Sequence, residues 1–308
     1  MQTVLITGGS GLVGQELSKM LINKGFKVII LSRNKNSSNN NIQYAQWDIK
    51  KQTIDLKALQ EADFIIHLAG AGVVDKKWTE SYKKEILLSR TESSKLIIDA
   101  LSKNPNKVKA IISASAIGWY GPDKKNDYSF SETDAPDNNF LGETCRLWEE
   151  SVDPATKIGI RVCKLRTGIV LTKKGGALRE FIKPIKMGIA GILGRGNQII
   201  SWIHIEDLCR MFIHCMENDQ LQGSYNAVAP SPVSNKTLTI SLAKLLKGIF
   251  FIPVHVPVFI LKLMMGQRSI EILKSTTVSC EKIKKNRICI LLPNNRCCFK
   301  KYFFKITI

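Results

Sequence analysis

The stretch VLITGGSGLVGQEL, Val4 to Leu17, decides the fold of this chain. An apolar run of strand length leads into glycines at positions 8, 11 and 14, and a helical pattern begins within the same stretch. Glycines at this spacing let the turn close, let backbone amides approach a pyrophosphate and let the helix pack on the strand. We therefore expect a dinucleotide to bind at the helix N-terminus. The residues expected to contact it are Gly8, Gly11, Leu12, Val13 and Gly14.

Strands and helices continue to alternate through the first half of the chain. Apolar segments of strand length recur at KVIILS, DFIIHLAG and VKAIISAS, and helical segments such as ESSKLIIDALSK separate them. This order predicts an α/β fold with a doubly wound parallel sheet of the Rossmann type. We expect residues 1–172 and 199–218 to form the nucleotide-binding domain, residues 173–198 and 219–285 to form a small C-terminal substrate lobe, and residues 286–308 to form an aberrant tail.

The end of the second strand indicates which dinucleotide binds. A site that prefers NAD places an acidic residue about 20 residues beyond the glycines, where it holds the ribose 2′-hydroxyl. Here the strand ends in Leu31-Ser32-Arg33-Asn34-Lys35, without an acid. Arg33 is suited to a 2′-phosphate, and a charge-assisted hydrogen bond contributes roughly 1.5–3 kcal/mol. We therefore expect NADP(H) rather than NAD(H); the alternative is that Arg33 is a solvated surface arginine.

Further motifs follow in a fixed order along the chain. They are TGGSGLVG, WD at 47–48, HLAGAGV, KKWTESYKKEILLSR, SASAIGWYG, FLGETCRLWEE, LRTGIVL, GILGRGNQ with SWIHIEDL, and YNAVAPSPVSN. This set resembles the extended short-chain dehydrogenase/reductase superfamily, and more narrowly its atypical branch of uncharacterised epimerase-family, NAD-dependent epimerase/dehydratase-like proteins. The resemblance implies an NADP-type cofactor with Asp48 near its adenine, Leu68, Ala69 and Gly70 beneath it, and Ser115 near the nicotinamide.

Active members of the superfamily carry Tyr-x-x-x-Lys on a helix, where the lysine lowers the pKa of the tyrosine. Tyr120 and Lys124 have this spacing, but Gly121 and Pro122 lie between them, so one helix cannot hold both. Their spacing is therefore coincidental.

The segment in which the resemblance places the pair is FLGETCRLWEE. Phe140 or Leu141 occupies the tyrosine position, and Thr144 or Cys145 occupies the lysine position. Both functional groups are therefore missing.

A tyrosine without a neighbouring cation is a poor base at pH 7, but it can still donate a proton. We therefore expect an NADP(H)-dependent oxidoreductase or epimerase-like enzyme, and our leading hypothesis is a weak carbonyl reductase in which Ser115 donates a hydrogen bond to the substrate and Tyr120 donates a proton. Three alternatives stay open. The first is that both residues only shape the pocket wall. The second is that the protein is a catalytically silent NADP(H)-sensing protein, and the third is that it is an RNA-binding relative of the same fold.

Charge and composition narrow the choice of partners. The formal charge is +19, but residues 281–308 carry eight Lys/Arg and one acid, which leaves +12 spread thinly over the rest. We therefore expect an unknown small-molecule substrate and no nucleic acid. The apolar segment 246–266 contains Pro253, Pro257 and Lys262, so we expect a buried helix rather than a membrane span.

The sequence predicts free thiols, no metal site and a cytoplasmic protein. None of the eight cysteines forms a C-x-x-C, and the four histidines complete no zinc spacing. A strand already begins near Thr3, so we expect no targeting segment before the fold. In SWIHIEDL we expect structural roles for His204 and Asp207, with Glu206 or Asp207 capping a helix, and we expect the GRGN loop at 194–197 to border the substrate pocket.

The sequence from Asn286 onwards departs from the pattern of the resemblance, which continues with a Gly-Phe strand and an amphipathic helix. One back-translation of residues 286–290, shifted by a single base, reads Ile-Gly-Phe-Val-Phe and restores such a strand. We therefore expect a frameshift near residue 285, which coding DNA would test.

Overall fold

The computed structural model describes residues 1–33, 42–124, 128–286, 290–295, 298 and 299. Residues 34–41, which follow Arg33, and most of the predicted aberrant tail lie outside this range.

Fourteen strands and ten α-helices occur in the described residues. The strands are β1 (Thr3–Thr7), β2 (Lys27–Ser32), β3 (Ile42–Asp48), β4 (Thr53–Ile54), β5 (Phe64–His67), β6 (Ala110–Ala116), β7 (Arg161–Thr167), β8 (Ile169–Leu171), β9 (Ile189–Leu193), β10 (Ile199–Ile200), β11 (Trp202–His204), β12 (Gly223–Ala227), β13 (Val233–Ser234) and β14 (Ile252–Val256). The helices are α1 (Leu12–Asn23), α2 (Leu56–Glu61), α3 (Glu80–Lys103), α4 (Phe140–Val152), α5 (Gly176–Lys186), α6 (Ile205–Glu217), α7 (Asn235–Lys247), α8 (Val258–Met265), α9 (Ser269–Leu273) and α10 (Glu281–Lys285).

The central sheet has eight strands in the order β12-β7-β6-β5-β1-β2-β3-β4. Its strands are parallel except β4, which runs antiparallel to β3. The predicted doubly wound α/β fold is therefore confirmed. In the register of β1, Thr7 lies opposite both Leu31 of β2 and His67 of β5. The glycine turn and the ends of these two strands consequently meet at one edge of the sheet.

Helices cover both faces of the sheet because the buried strand residues alternate between two cores. Val4 and Ile6 pack in one core with residues of α1 and α6, whereas Leu5 packs in the other core with residues of α2 and α3. β1 is buried at all five positions, as expected for a central strand of a parallel sheet.

A smaller lobe is built around α5, α7 and the short sheets β9–β14 and β10–β13. Its core combines Leu178, Leu238 and Leu242 with Trp202 of β11. Part of the predicted aberrant tail joins this core, because Phe299 is 1% exposed among these residues.

The domain boundary predicted from the sequence needs one correction. Residues 223–227 were assigned to the small lobe, but they form β12, which pairs in parallel with β7 at the edge of the central sheet. Tyr225 and Ala227 of this strand are buried in the core that contains α6. The chain therefore returns from the lobe to complete the main sheet.

Within residues 246–266 we expected a buried helix with a proline-rich entry; a helix does follow Pro257, but it is short and mostly exposed, so the expected burial is wrong. Proline at 253 and 257 interrupts helical hydrogen bonding, and this part of the chain instead forms β14 followed by the short helix α8. Leu261 is the one buried residue of α8, whereas Phe259 and Leu263 are 69% and 81% exposed. Within the described residues, no helix is long and apolar enough to cross a membrane.

Helix α6 begins at Ile205 and is capped by His204, not by Glu206 or Asp207 as the sequence suggested. The Nδ1 atom of His204 accepts a hydrogen bond from the Glu206 amide at 3.1 Å. The Asp207 carboxylate instead accepts hydrogen bonds from the amides of Leu291 and Leu292 at 3.1 and 3.0 Å. Both His204 and Asp207 therefore have the structural roles that the sequence predicted.

Candidate functional site

The turn after β1 has a shape that only glycine permits at two positions. Gly8 has a φ of +68°, and a Cβ there would lie 2.9 Å from the Leu68 carbonyl. A Cβ on Gly14 would lie 2.6 Å from the Gly8 oxygen and 2.6 Å from the Gly9 Cα. The Gly11 amide closes the turn by donating to the Gly8 oxygen at 3.0 Å. The turn therefore brings backbone close to backbone.

The N-terminus of α1 is suited to bind an anion. Gly11 is the N-cap and supplies no capping side chain, and the first turn contains no acidic residue. The first amides of the helix and its positive dipole end therefore stay available, which is the arrangement that binds phosphate. These residues fit the pyrophosphate of a dinucleotide.

Thr7 and His67 tie this turn to the end of β5. The Thr7 hydroxyl oxygen accepts hydrogen bonds from the amides of Leu68 and Ala69, both at 3.1 Å, so its proton is directed to His67 Nδ1 at 2.7 Å. His67 Nε2 lies 3.2 Å from the hydroxyl oxygens of Ser93 and Ser94, each of which donates to a backbone carbonyl. This network assigns the Nε2–H tautomer to His67.

Burial supports the neutral form of His67. The ring is completely inaccessible to solvent, and this desolvation lowers the pKa of His67 to about 4. Protonation would also make Nδ1 a donor facing the Thr7 hydroxyl proton. His67 is therefore a positioning residue for the strand end at which Leu68, Ala69 and Gly70 follow.

The structure brings the predicted cofactor residues to one edge of the sheet. Arg33 is exposed and follows β2 directly, and the parallel register of β1 and β2 places the ends of both strands at the same edge of the sheet, so Arg33 lies on the side of the sheet where the glycine turn follows β1. Asp48 ends β3, the next strand, and its Oδ1 accepts hydrogen bonds from the amides of Lys50 and Lys51 at 2.9 and 3.1 Å. A role for Asp48 beside the adenine stays a prediction.

A cavity of about 360 Å³ lies between the carboxyl edge of the sheet and the small lobe. Its wall is formed mainly by apolar side chains, among them Val73, Ile117, Leu141, Trp148, Phe181 and Ile200. Leu193 and Ile199, which flank the predicted GRGN loop, also line it. Ligand pockets of α/β proteins commonly combine such an apolar wall with a few polar groups.

Three charged side chains line the cavity, namely Arg90, Glu271 and Lys274. Lys274 and Glu271 form an ion pair at 2.7 Å. Arg90 lies on α3, is 9% exposed, and has its guanidinium carbon 4.9 Å from the centre of the Trp148 ring. Among the described residues that line this apolar cavity, Arg90 is therefore the one cation outside the Glu271–Lys274 ion pair.

The family of the chain follows from a match that covers most of it. The model of the NAD dependent epimerase/dehydratase family matches residues 4–227, which include the glycine turn and all eight strands of the central sheet. The chain belongs to the NAD-dependent epimerase/dehydratase family. The short-chain dehydrogenase/reductase resemblance inferred from the motifs is thereby confirmed.

Relatives in this family extend over nearly the whole chain. The epimerase family protein YfhF of Bacillus subtilis is 34% identical over 272 residues, which are 88% of each chain. The epimerase family protein SSP1921 of Staphylococcus saprophyticus is 32% identical over 297 residues, which are 96% of this chain and 97% of the relative.

Solved structures of similar proteins have the same fold. The human epimerase family protein SDR39U1, solved with NADPH, has a TM-score of 0.86 at 25% identity and covers 99% of this chain and 100% of that one. A nucleoside-diphosphate sugar epimerase from Corynebacterium glutamicum has a TM-score of 0.76 at 29% identity; the match covers 97% of this chain and 57% of that one.

In this member of the epimerase family, α4 presents no acid/base pair to the cavity. Leu141, Thr144 and Cys145 line the cavity, whereas Phe140 packs edge-on against Trp78 at 5.1 Å. Burial raises the pKa of the Cys145 thiol to about 12, so it stays protonated at neutral pH. The Tyr-x-x-x-Lys pair is therefore replaced by an apolar and hydroxyl-bearing surface, as the sequence predicted.

Ser115 and Tyr120 lie behind the cavity wall rather than in it. Ser115 is 3% exposed and donates a hydrogen bond to Glu149 at 2.7 Å. Tyr120 is fully buried; its hydroxyl donates to Asn226 at 2.7 Å and accepts from Arg166 at 3.0 Å. Desolvation raises the pKa of Tyr120 to about 12. This geometry corrects the expectation that these two hydroxyls meet a substrate, since both are committed to a buried network.

An ion pair between Glu149 and Arg166 is at the centre of this network. Arg166 donates from Nε and Nη2 to the two carboxylate oxygens at 2.8 and 3.1 Å, and Ser224 donates to the same carboxylate at 2.8 Å. The network joins α4, β6, β7 and β12, so it fixes the wall from which Leu141 and Cys145 face the cavity.

The sequence reasoning did not identify Arg90, His67 or the Glu149–Arg166 pair as site residues. Arg90 ends the motif KKWTESYKKEILLSR and His67 opens HLAGAGV, but neither pattern indicates which side chains face inward. A charged residue within an apolar helical stripe is the signal that would have identified Arg90, because α3 buries Ile86, Arg90 and Ile97 along the same side.

Proposed function

We propose that this protein is an NADP(H)-dependent oxidoreductase that reduces a small, largely apolar carbonyl compound. The observation that supports the proposal best is the glycine turn, which leaves the amides of α1 available for a pyrophosphate next to a strand that ends in Arg33 and lacks an acid. The human relative solved with NADPH adds support for the cofactor.

Different residues of the chain would bind different parts of the cofactor. The amides at the start of α1 would hold the pyrophosphate, Arg33 would bind the 2′-phosphate, and Gly70 would leave room beneath the nicotinamide ribose. The bound cofactor would supply a hydride. The apolar wall around Ile117, Leu141 and Ile200 would exclude water from the reacting carbonyl.

Proton delivery is the weak part of such a site. Neither Ser115 nor Tyr120 offers its hydroxyl to the cavity, and α4 carries no tyrosine or lysine. The proton would then come from water that enters the cavity, and we expect slow turnover in comparison with a site that has a positioned acid, which contributes about 10²–10⁴-fold.

Cofactor binding tests the proposal directly. Isothermal titration calorimetry with NADPH and NADH should show tighter binding of NADPH, and Arg33→Ala should lower that preference about tenfold to hundredfold because one charge-assisted bond is lost. Arg146→Ala, which changes an exposed arginine on α4, should leave the ratio of the two dissociation constants unchanged. Equal ratios in the wild type and Arg33→Ala would remove the basis for NADP(H) selectivity.

A second candidate function is a catalytically silent NADP(H)-sensing protein. The apolar surface of α4, where an active superfamily member would carry its acid/base pair, favours this reading. Absorbance at 340 nm distinguishes the two functions when wild-type protein is incubated with NADPH and a panel of aromatic and aliphatic aldehydes and ketones. Oxidation of NADPH above the protein-free rate supports the reductase, whereas tight binding without oxidation across the panel supports the sensor.

A further inference from the structure

The charge of Arg90 has no counter-charge in the described part of the protein. Its guanidinium donates a hydrogen bond from Nη1 to the Ile86 carbonyl at 2.7 Å, and no carboxylate of the described residues forms an ion pair with it. The other cation of the cavity, Lys274, is paired with Glu271. Since a buried cation is costly unless it is paired, an unpaired arginine needs an explanation.

The immediate surroundings of Arg90 do not satisfy its remaining donors. Trp148 presents its ring at 4.9 Å, and the indole Nε1 is itself a buried donor without an acceptor in the described residues. Desolvation lowers the pKa of the Arg90 guanidinium, which is the direction expected when no anion compensates for burial. The hydrogen bond to Ile86 uses Nη1, so Nε and Nη2 have no hydrogen-bond partner in the described residues.

Arg90 lies next to both the expected cofactor site and the expected substrate site. A Cβ on Gly70, the exposed residue at the end of the β5 strand segment, would lie 3.0 Å from Arg90 Cζ and 3.2 Å from Nε. The same guanidinium lines the apolar cavity. It therefore adjoins both the strand end expected beneath the cofactor and the space left for a substrate.

We propose that Arg90 binds an anionic oxygen group of a ligand in this cavity, and that the substrate is a carbonyl compound with an apolar body and a carboxylate. This inference deepens the proposed function and rests on it for the carbonyl chemistry. The planar fork of an arginine matches the two oxygens of a carboxylate or phosphate, and the apolar wall matches the remainder of such a molecule. A nucleotide sugar, with its many hydroxyls, fits this wall poorly.

The test compares anionic and neutral probes of the same shape. Binding of 3-phenylpropanoate and 3-phenylpropanamide to wild-type protein, with and without NADPH, is measured by calorimetry alongside inorganic phosphate. The carboxylate should bind about tenfold to hundredfold more tightly than the amide, and Arg90→Gln should abolish that difference. Arg90→Lys, which keeps the charge but not the fork, should retain part of it, and the exposed Arg146→Gln should retain all of it.

A separate titration of NADPH identifies the source of the anionic group. If Arg90→Gln weakens binding of the carboxylate and leaves the NADPH dissociation constant within twofold of the wild-type value, the anionic group belongs to the substrate. If Arg90→Gln weakens NADPH binding tenfold or more while Arg146→Gln does not, Arg90 binds a phosphate of the cofactor. Anion binding by Arg90 then stands, and the carboxylate substrate is rejected. If neither carboxylate nor phosphate binding nor NADPH affinity depends on Arg90, the inference is overturned.

The stability of the ligand-free protein separates anion binding from a merely structural role. Because an unpaired buried cation is removed, Arg90→Met should have a melting temperature equal to or above that of the wild type, whereas a residue kept only for its contact with Trp148 should lower it. Wild-type protein that binds no NADPH but binds 3-phenylpropanoate through Arg90 would refute the proposed function and the carbonyl chemistry, and would leave the binding of a carboxylate by Arg90 standing.

Discussion

Replacing Glu149 by glutamine should destabilise the protein strongly, because it leaves Arg166 as an uncompensated buried charge. The side chains of the pair are 5% and 4% exposed, and the two carboxylate oxygens lie 2.8 and 3.1 Å from the guanidinium. Breaking a buried pair on one side costs roughly 3–5 kcal/mol. At about 2 °C per kcal/mol for a chain of this size, the melting temperature should fall by roughly 6–10 °C.

The control for this prediction is the neighbouring residue of the same helix. Glu150 pairs with Arg146 at 2.6 Å but is 54% exposed, and exposed pairs contribute roughly 0–1 kcal/mol. Glu150→Gln should therefore shift the melting temperature by about 2 °C or less. The assay is thermal unfolding followed by circular dichroism at pH 7 for the wild type and both variants. Equal shifts for Glu149→Gln and Glu150→Gln would refute the view that the buried network holds the cavity wall.

Three further predictions concern the turn, the histidine and the tyrosine. Gly14→Ala should weaken NADPH binding at least tenfold in calorimetry and leave the far-ultraviolet circular dichroism spectrum unchanged, because the new Cβ would lie 2.6 Å from the Gly8 oxygen. An unchanged affinity for NADPH would contradict this close approach. Lowering the pH from about 6.5 to about 4 should destabilise the wild type by on the order of 3 kcal/mol through His67, since the unfolded chain takes up a proton that the folded chain binds only near its pKa of about 4. His67→Gln should lose this part of the pH dependence in melting curves, and an identical pH dependence in both proteins would refute it. Tyr120→Phe should leave NADPH oxidation unchanged but lower the melting temperature by roughly 2–6 °C, because two hydrogen bonds of a buried hydroxyl are lost; a tenfold loss of turnover at unchanged stability would restore Tyr120 as a proton donor.

The parallel, doubly wound architecture of the central sheet and the phosphate turn were predictable because both follow from local patterns. Alternating strand and helix lengths imply a parallel sheet, and the position of Gly8, Gly11 and Gly14 between strand and helix implies a nucleotide turn. The predicted β2 coincides with the observed Lys27–Ser32. The absence of a Tyr-Lys pair from α4 could also be read from the sequence, since helical spacing fixes which residues share a face.

The positions of Ser115, Tyr120 and Arg90 could not be predicted, since they depend on contacts between distant parts of the chain. Tyr120 is directed inward because Arg166 and Asn226, which come from two later strands, meet its hydroxyl. Arg90 lies near the end of β5 because α3 packs there, with Ser93 and Ser94 of this helix 3.2 Å from His67. The misassignment of 223–227 has a similar cause: a strand that joins the sheet edge late in the sequence looks locally like part of the preceding lobe.

The late return of the chain to form β12 has a consequence for protein engineering. Because β12 completes the nucleotide-binding half after the small lobe has begun, the two halves are not consecutive stretches of sequence. Cutting the gene after α6 would remove β12, all five residues of which pair with β7, and would expose Leu165 of β7 to solvent. To exchange substrate specificity between relatives, two separate segments of the small lobe therefore have to be replaced, one before β11 and one after β12. Replacing a single C-terminal segment would not be sufficient.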